Sequence, residues 1–142
     1  MAEKPRWRPA RMTGWFDPKV MSQSAMMLVT ANIFGRHSDT RLIEALGNQP
    51  QDVFDYTGQP GDFWLDYVAD LGDGWNSTYA IADALSEEDV LDTTRGSVLV
   101  MGGDQVYPYP SREAYVRRTE TPYDEAFARH RHRPDVYAIP GN

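Results

Sequence analysis

Three short segments of this 142-residue chain carry oxygen donors beside glycine: Ala69-Asp70-Leu71-Gly72, Gly102-Gly103-Asp104-Gln105-Val106-Tyr107 and the closing Pro140-Gly141-Asn142. Two cations held ~3.5–4 Å apart can clamp a phosphoryl group and generate a hydroxide nucleophile near neutral pH. Their mutual repulsion has to be offset by an anionic bridge with two oxygens, which a carboxylate provides. Asp104 suits that bridge, because the Gly-Gly-Asp turn lets backbone approach a ligand with no Cβ in the way. Asp70 would ligate one ion and Asn142, through its amide oxygen, the other. Tyr107, three residues past Asp104, would reach the ion held by Asp70 as a phenolate. A free tyrosine titrates near 10, so such ligation calls for a strongly charged ion, ferric iron rather than magnesium. Asp73 is expected to cap a helix or accept a hydrogen bond behind these ligands.

The three segments each follow a short apolar run. Phe63 to Ala69, Ser97 to Met101 and Asp135 to Ile139 read as strands, and helical spacing of Trp75, Tyr79, Ala82 and Leu85 predicts a helix between the first two. Asp73 or Asn76-Ser77 is expected to cap it. Ser111 begins a second helix, and Thr121-Pro122-Tyr123-Asp124 combines capping-box and first-turn-proline chemistry for a third. The order predicts an α/β fold, a β-α-β-α-β unit with mostly parallel strands and helices on the faces of its sheet. In such sheets the loops beyond the carboxyl ends of the strands lie together, and ligands bind there. All three donor segments fall at those ends.

Upstream, Asp17-Pro18 predicts the start of a helix running to about Phe34. Its small polar residues are scattered round the wheel, so it is expected to be packed on more than one side, with Met21, Met26 and Met27 in a core. Asp39 caps a shorter helix over residues 41–46 that Gly47 ends, and residues 49–62, with two prolines and two glycines, read as a connector. The expected organisation is an N-terminal tail and helical extension over residues 1–60, followed by the α/β domain over residues 61–142.

Read together, Asp-x-Gly, Gly-Asp-x-x-Tyr and Gly-Asn resemble the calcineurin-like metallophosphoesterase superfamily, with Asp70-Leu71-Gly72 and Gly103-Asp104-Gln105-Val106-Tyr107 closest to its purple-acid-phosphatase-like branch. In that branch the motifs are Gly-Asp-x-Gly, Gly-Asp-x-x-Tyr and Gly-Asn-His. Ala69 replaces the first glycine here, and Gly72 stands where many other members have a metal-binding histidine. The resemblance covers about Phe63 to Asn142, and the chain stops inside the third motif. It implies an incomplete metallophosphoesterase-type sandwich, the N-terminal part of a hydrolase that cleaves a phosphate ester of unknown type with metal-bound hydroxide. It implies two divalent or trivalent ions (iron, manganese or zinc) on Asp70, Asp104, Tyr107 and Asn142, with no catalytic residue inside the chain and further ligands supplied by later histidines. The piece alone is expected to be inactive. The alternative is a metallophosphoesterase-like scaffold that has lost catalysis, and a third reading has calcium held structurally by Asp66, Asp70 and Asp73.

Composition narrows the partners. A net charge of −7 and an acidic pI near 4.8 argue against a general nucleic-acid binder. The absence of cysteine excludes disulfides and thiolate metal sites. The arm from Met1 to Met12 is basic and lacks the apolar core of a secretory signal, which leads us to expect a cytoplasmic protein with a mobile tail. The apolar stretch from Val20 to Phe34 falls short of the ~20 residues that cross a bilayer. Of the three histidines, His37 is expected near a helix end. His130 and His132, two apart in Arg-His-Arg-His-Arg, are read as facing different ways on a solvated helix end. Arg112, Arg117 and Arg118 read as solvated helix positions.

Overall fold

The computed structural model describes residues 9–35, 53–90 and 93–139. The chain divides into two units, Gly14–Gly61 and the remainder, Met1–Thr13 with Asp62–Asn142. Helix α1, Pro18–Gly35, is the one regular element described in the first unit. Asp17 caps it as its sequence predicts, accepting a 2.8 Å hydrogen bond from the Lys19 amide. Its packing differs from expectation. Met21, Met26, Met27, Leu28, Val29 and Ile33 are all half or more exposed, so the methionines form no core. With apolar groups distributed all round the wheel, α1 has no single face to bury. The expected helix over residues 41–46 lies outside the described residues.

In the second unit the sequence reads as strands and helices in alternation, and the fold is mixed α/β. Strands β1 (Leu65–Val68), β4 (Val98–Met101) and β5 (Asp135–Ala138) form a parallel sheet in the order β1-β4-β5. The register sets Asp66, Leu99 and Val136 side by side, then Val68, Met101 and Ala138. Because side chains alternate between faces, these residues share one surface of the sheet. Helices α2 (Trp75–Ser86) and α4 (Thr121–Phe127) cover that surface, burying Leu71, Ala82, Leu99, Met101, Tyr123, Ala126 and Phe127 in one cluster. On the opposite face Leu65 and Tyr67 are exposed. Within this unit the helices therefore lie on one side of the sheet rather than on both. As the middle strand, β4 is the most apolar and most buried.

Between α2 and β4 the chain makes a small antiparallel hairpin, β2 (Asp89–Val90) with β3 (Thr93–Thr94), which the sequence reading does not anticipate. Asp66 explains its placement. This mid-strand carboxylate accepts a 2.9 Å bond from the Gly96 amide at the exit of the hairpin. The backbones meet so closely there that a Cβ on Gly96 would lie 2.7 Å from the Asp66 nitrogen. Arg95 donates to the Ser86 carbonyl at 2.6 Å, closing the free end of α2.

After β4, Ser111 caps helix α3 (Arg112–Tyr115) by accepting from the Ala114 amide, as expected. The helix does not stop and restart at Thr121. It widens into a π-helical turn, Val116–Glu120, and continues directly as α4. The capping box therefore does not form, and the Thr121 hydroxyl bonds instead to the Val116 carbonyl. Pro122 accounts for the widening. In an α-helix its ring would press on the carbonyl four residues earlier and its nitrogen has no hydrogen to donate. A turn closed from the Thr121 amide to the Val116 carbonyl avoids both problems. No helix among the described residues is long and apolar enough to cross a membrane.

Candidate metal centre

The β1 and β4 strands end at the same level of the sheet and their following loops are joined backbone to backbone. The Gly102 amide donates to the Val68 carbonyl at 2.7 Å, Asp70 to Gly103 at 3.2 Å, Leu71 to Asp104 at 2.9 Å, and Tyr107 to Gly72 at 3.2 Å. Both aspartates adopt the left-handed conformation, with φ of 62° at Asp70 and 51° at Asp104. Apart from glycine, only asparagine and aspartate take up this region with any ease. The turn reverses the chain at the carboxyl end of each strand and leaves Asp70 on the surface and Asp104 half-buried.

Tyr107 brings the two together. Its hydroxyl donates to a carboxylate oxygen of Asp70. That bond, then burial, then the charges of Asp70 and Asp104 and a hydrogen bond to Asp104 hold the phenol protonated far above its ordinary value. One hydroxyl therefore feels both carboxylates, and three hard oxygen donors meet on one rim. Asn142 lies outside the described residues. The chain leading toward it does reach this rim: the Ile139 amide donates to Met101 at 2.9 Å, and the Gln105 side-chain amide donates to the carbonyls of Met101 and Ile139 at 3.3 and 3.2 Å.

Gly72 is fixed by geometry. Its φ is +77°, and an added Cβ would lie 1.9 Å from the Gln105 carbonyl oxygen. No side chain, and so no metal-binding histidine, fits at this position while the two loops keep their contact. The Gly72 amide donates to the buried Thr78 hydroxyl at 3.2 Å, which ties the loop to the first turn of α2.

Asp73 does not cap α2. The N-cap is Gly74 and its neighbours Ser77 and Thr78 turn their hydroxyls onto its carbonyl. The first free amide of the helix, that of Trp75, is taken by the Ala10 carbonyl at 3.0 Å. The described end of the N-terminal arm is thus bonded in place rather than a free tail: Thr13 also donates to the Asp73 carbonyl at 2.9 Å through its amide. One oxygen of the Asp73 carboxylate is buried with no hydrogen-bond partner among the described residues, while its main-chain carbonyl accepts from Thr13 and Arg118.

The remaining charged residues sort themselves by contact. Arg117 pairs with Glu113 along the helix at 3.3 Å, and Arg133 with Asp124 at 2.9 Å. Arg129 pairs with Asp83 and reaches the Tyr79 hydroxyl. Arg118 is not a solvated position. It is partly buried and donates to the carbonyl of Asp73 at 2.6 Å, with the Thr13 hydroxyl at 3.3 Å and the Gly72 carbonyl at 3.4 Å; burial lowers its pKa, with Asp73 opposing. His130 and His132 lie beyond α4, which ends at Phe127, so neither sits on a helix; His37 lies outside the described residues. Asp66 is turned to Gly96, which removes it from any calcium cluster with Asp70 and Asp73.

The donor types, two carboxylates and a phenol, suit a hard cation. They would supply only part of a coordination shell. No group of three or more His, Cys, Asp or Glu side chains able to hold an ion occurs among the described residues. Asp70, Asp104 and Tyr107, singled out in the sequence, are brought together here, whereas the sequence did not point to Gln105, Thr78, Thr119 and Arg118 as the contacts behind them. No local pattern marks them, since Gln105 follows Asp104 and Thr119 lies between Arg118 and Glu120. No protein-family model matches the chain, and neither a curated protein nor a solved structure matches it.

Proposed function

We propose that the unit containing β1, β4 and β5 belongs to a metal-dependent phosphoesterase of the calcineurin-like kind, with Asp70, Asp104 and Tyr107 as part of a two-metal site and Asn142 as a further ligand. The observation that carries this reading is the Tyr107 hydroxyl, bonded to Asp70 and shifted by Asp104 at the carboxyl ends of two adjacent parallel strands. A pair of iron, manganese or zinc ions would supply charge neutralisation at a phosphoryl oxygen and acidify water.

The chain's own residues have definable parts in this. Asp104, half-buried in its left-handed turn, would supply the shared anion. Without metal, the Tyr107 hydroxyl keeps its proton and donates it in a hydrogen bond to the Asp70 carboxylate. Cation uptake by the phenolate would displace that proton to solvent, so binding should strengthen as pH rises. The main-chain bonds between the loops keep both donors in place before any ion arrives.

Titration of the protein with ferric iron, followed by visible absorption, tests the reading. A tyrosinate-to-iron charge-transfer band is expected, lost in Tyr107→Phe and weakened in Asp70→Asn and Asp104→Asn. Iron binding that is indifferent to all three substitutions would overturn it. The described donors do not complete a shell, so binding by this chain is expected to be weak and hydrolysis absent. Hydrolysis of an aryl phosphate by a protein that joins these residues to the remaining ligands separates an active enzyme from a scaffold that has lost catalysis.

A further inference from the structure

The two donor loops touch at one point, and a single turn of helix reaches both sides of it. Gly72 and Gln105 have their peptide groups in van der Waals contact, as the 1.9 Å clash of a Gly72 Cβ with the Gln105 oxygen demonstrates. The Gly72 carbonyl also accepts from the Tyr107 amide at 3.2 Å. Behind this contact lies the π-helical turn Val116–Glu120. From it Arg118 donates to the carbonyls of Asp73, at 2.6 Å, and Gly72, at 3.4 Å, on the side of Asp70. Its neighbour Thr119, 5% exposed, donates its hydroxyl to the carbonyl of Gln105 on the side of Asp104.

Consecutive side chains on an α-helix diverge by about 100°, which follows from 3.6 residues per turn. A wider turn reduces that angle, and here two adjacent residues serve two adjacent loops. The widening itself traces to Pro122, three residues after Thr119. From these contacts we propose that Arg118 and Thr119 are positioning residues. Acting as one brace through the Gly72–Gln105 contact, they set the separation of the Asp70 and Asp104 carboxylates. The consequence for metal spacing rests on the proposed function; the brace itself does not.

The test uses the metal-free protein first. Amide hydrogen exchange at Leu71 and Tyr107 reads two of the cross-loop bonds, and exchange at Leu99 in the middle of β4 reads the stability of the whole unit. Arg118→Met and Thr119→Val are each expected to speed exchange at Leu71 and Tyr107 by about tenfold, the loss of roughly one buried hydrogen bond, with Leu99 accelerated by no more than that factor. Thr119→Ser, which keeps the hydroxyl, and Arg118→Lys, which keeps a donor, should restore part of the protection, and both remain informative if the larger changes unfold the chain. Unaltered exchange at Leu71 and Tyr107, whether or not Leu99 is accelerated, overturns the brace.

A second arm adds Mn²⁺ to the same variants and to Asp70→Asn. Weaker Mn²⁺ binding in Arg118→Met and Thr119→Val, alongside local exchange, is the expected result. Altered exchange with Mn²⁺ binding that ignores Asp70→Asn keeps the brace and removes the metal reading. Binding that needs Asp70 in variants whose exchange is unaltered removes the brace alone.

Discussion

The loop carrying Asp70 and the loop carrying Asp104 arrive at the same backbone conformation with different support. The Asp104 loop is held mainly by its own buried residues, with Thr119 bonded to the Gln105 carbonyl from outside. Gln105 and Val106 are buried, and the Gln105 side chain ties the loop to the ends of β4 and β5. The Asp70 loop is held from outside its own strand, by Thr78 of α2, by Arg118, and by Ala10 and Thr13 from more than fifty residues upstream. A left-handed aspartate costs backbone energy, and neighbouring bonds have to hold it there. The contrast shows that this support can come from local burial or from distant chain, and the second kind can be removed without touching the site.

The largest effect is expected where the loops meet. Gly72→Ala puts a Cβ into the Gln105 carbonyl at a φ of +77°, and should cost about 3 kcal/mol or more. Urea unfolding measures it, and a cost below about 1 kcal/mol would mean that the loops separate easily. Gln105→Leu comes next, at roughly 2 kcal/mol, because it strips two carbonyl partners from a buried position. Its exchange effects should centre on Asp104 and Ile139, and an effect centred on Asp70 would erase the distinction between the loops. Removing residues 1–13 should cost about 1 kcal/mol, from the loss of partners at Trp75 and Asp73. Faster exchange is then expected at Trp75 and Leu71, with Gln105 unaffected.

The smallest effect is confined to alkaline pH. The Tyr107 phenol is held above its ordinary value of 10.0 by the bond to Asp70. A raised folded-state value means that the stabilising contribution is complete below pH 10. It declines as pH rises further and the unfolded chain gives up its proton first. Tyr107→Phe should therefore flatten the alkaline branch of the stability curve without abolishing it, since burial raises Tyr123 in the same direction. An unchanged branch would show that the phenol does not rest on Asp70.

What could be read from sequence was set by local chemistry. Val98 to Met101 is apolar enough to announce a buried strand, and glycine beside aspartate announces the turns that follow. Asp17-Pro18 and Ser111 announce caps because a cap is made within four residues. The misreadings share the opposite character. Asp73 looks like an N-cap until Ala10, far away in sequence, supplies the acceptor that Trp75 needs. Thr121-Pro122 looks like a helix start until the preceding turn widens to accept the proline. Arg118 looks solvated because its acceptors are carbonyls, which no sequence pattern displays. The methionines of α1 look like core because apolar side chains do not reveal whether anything lies against them. Asp66 looks like a calcium ligand until Gly96, thirty residues on, takes up its carboxylate.

The left-handed turns at Asp70 and Asp104 carry one more implication, for anyone engineering this chain. At Asp104 the backbone would be more at ease with glycine, and Asp104→Gly is expected to leave the metal-free protein as stable as before or firmer by up to about 1 kcal/mol. A selection for heat resistance would therefore tend to discard an oxygen donor, and enrichment of that substitution under thermal selection would mark where folding and chemistry make opposing demands.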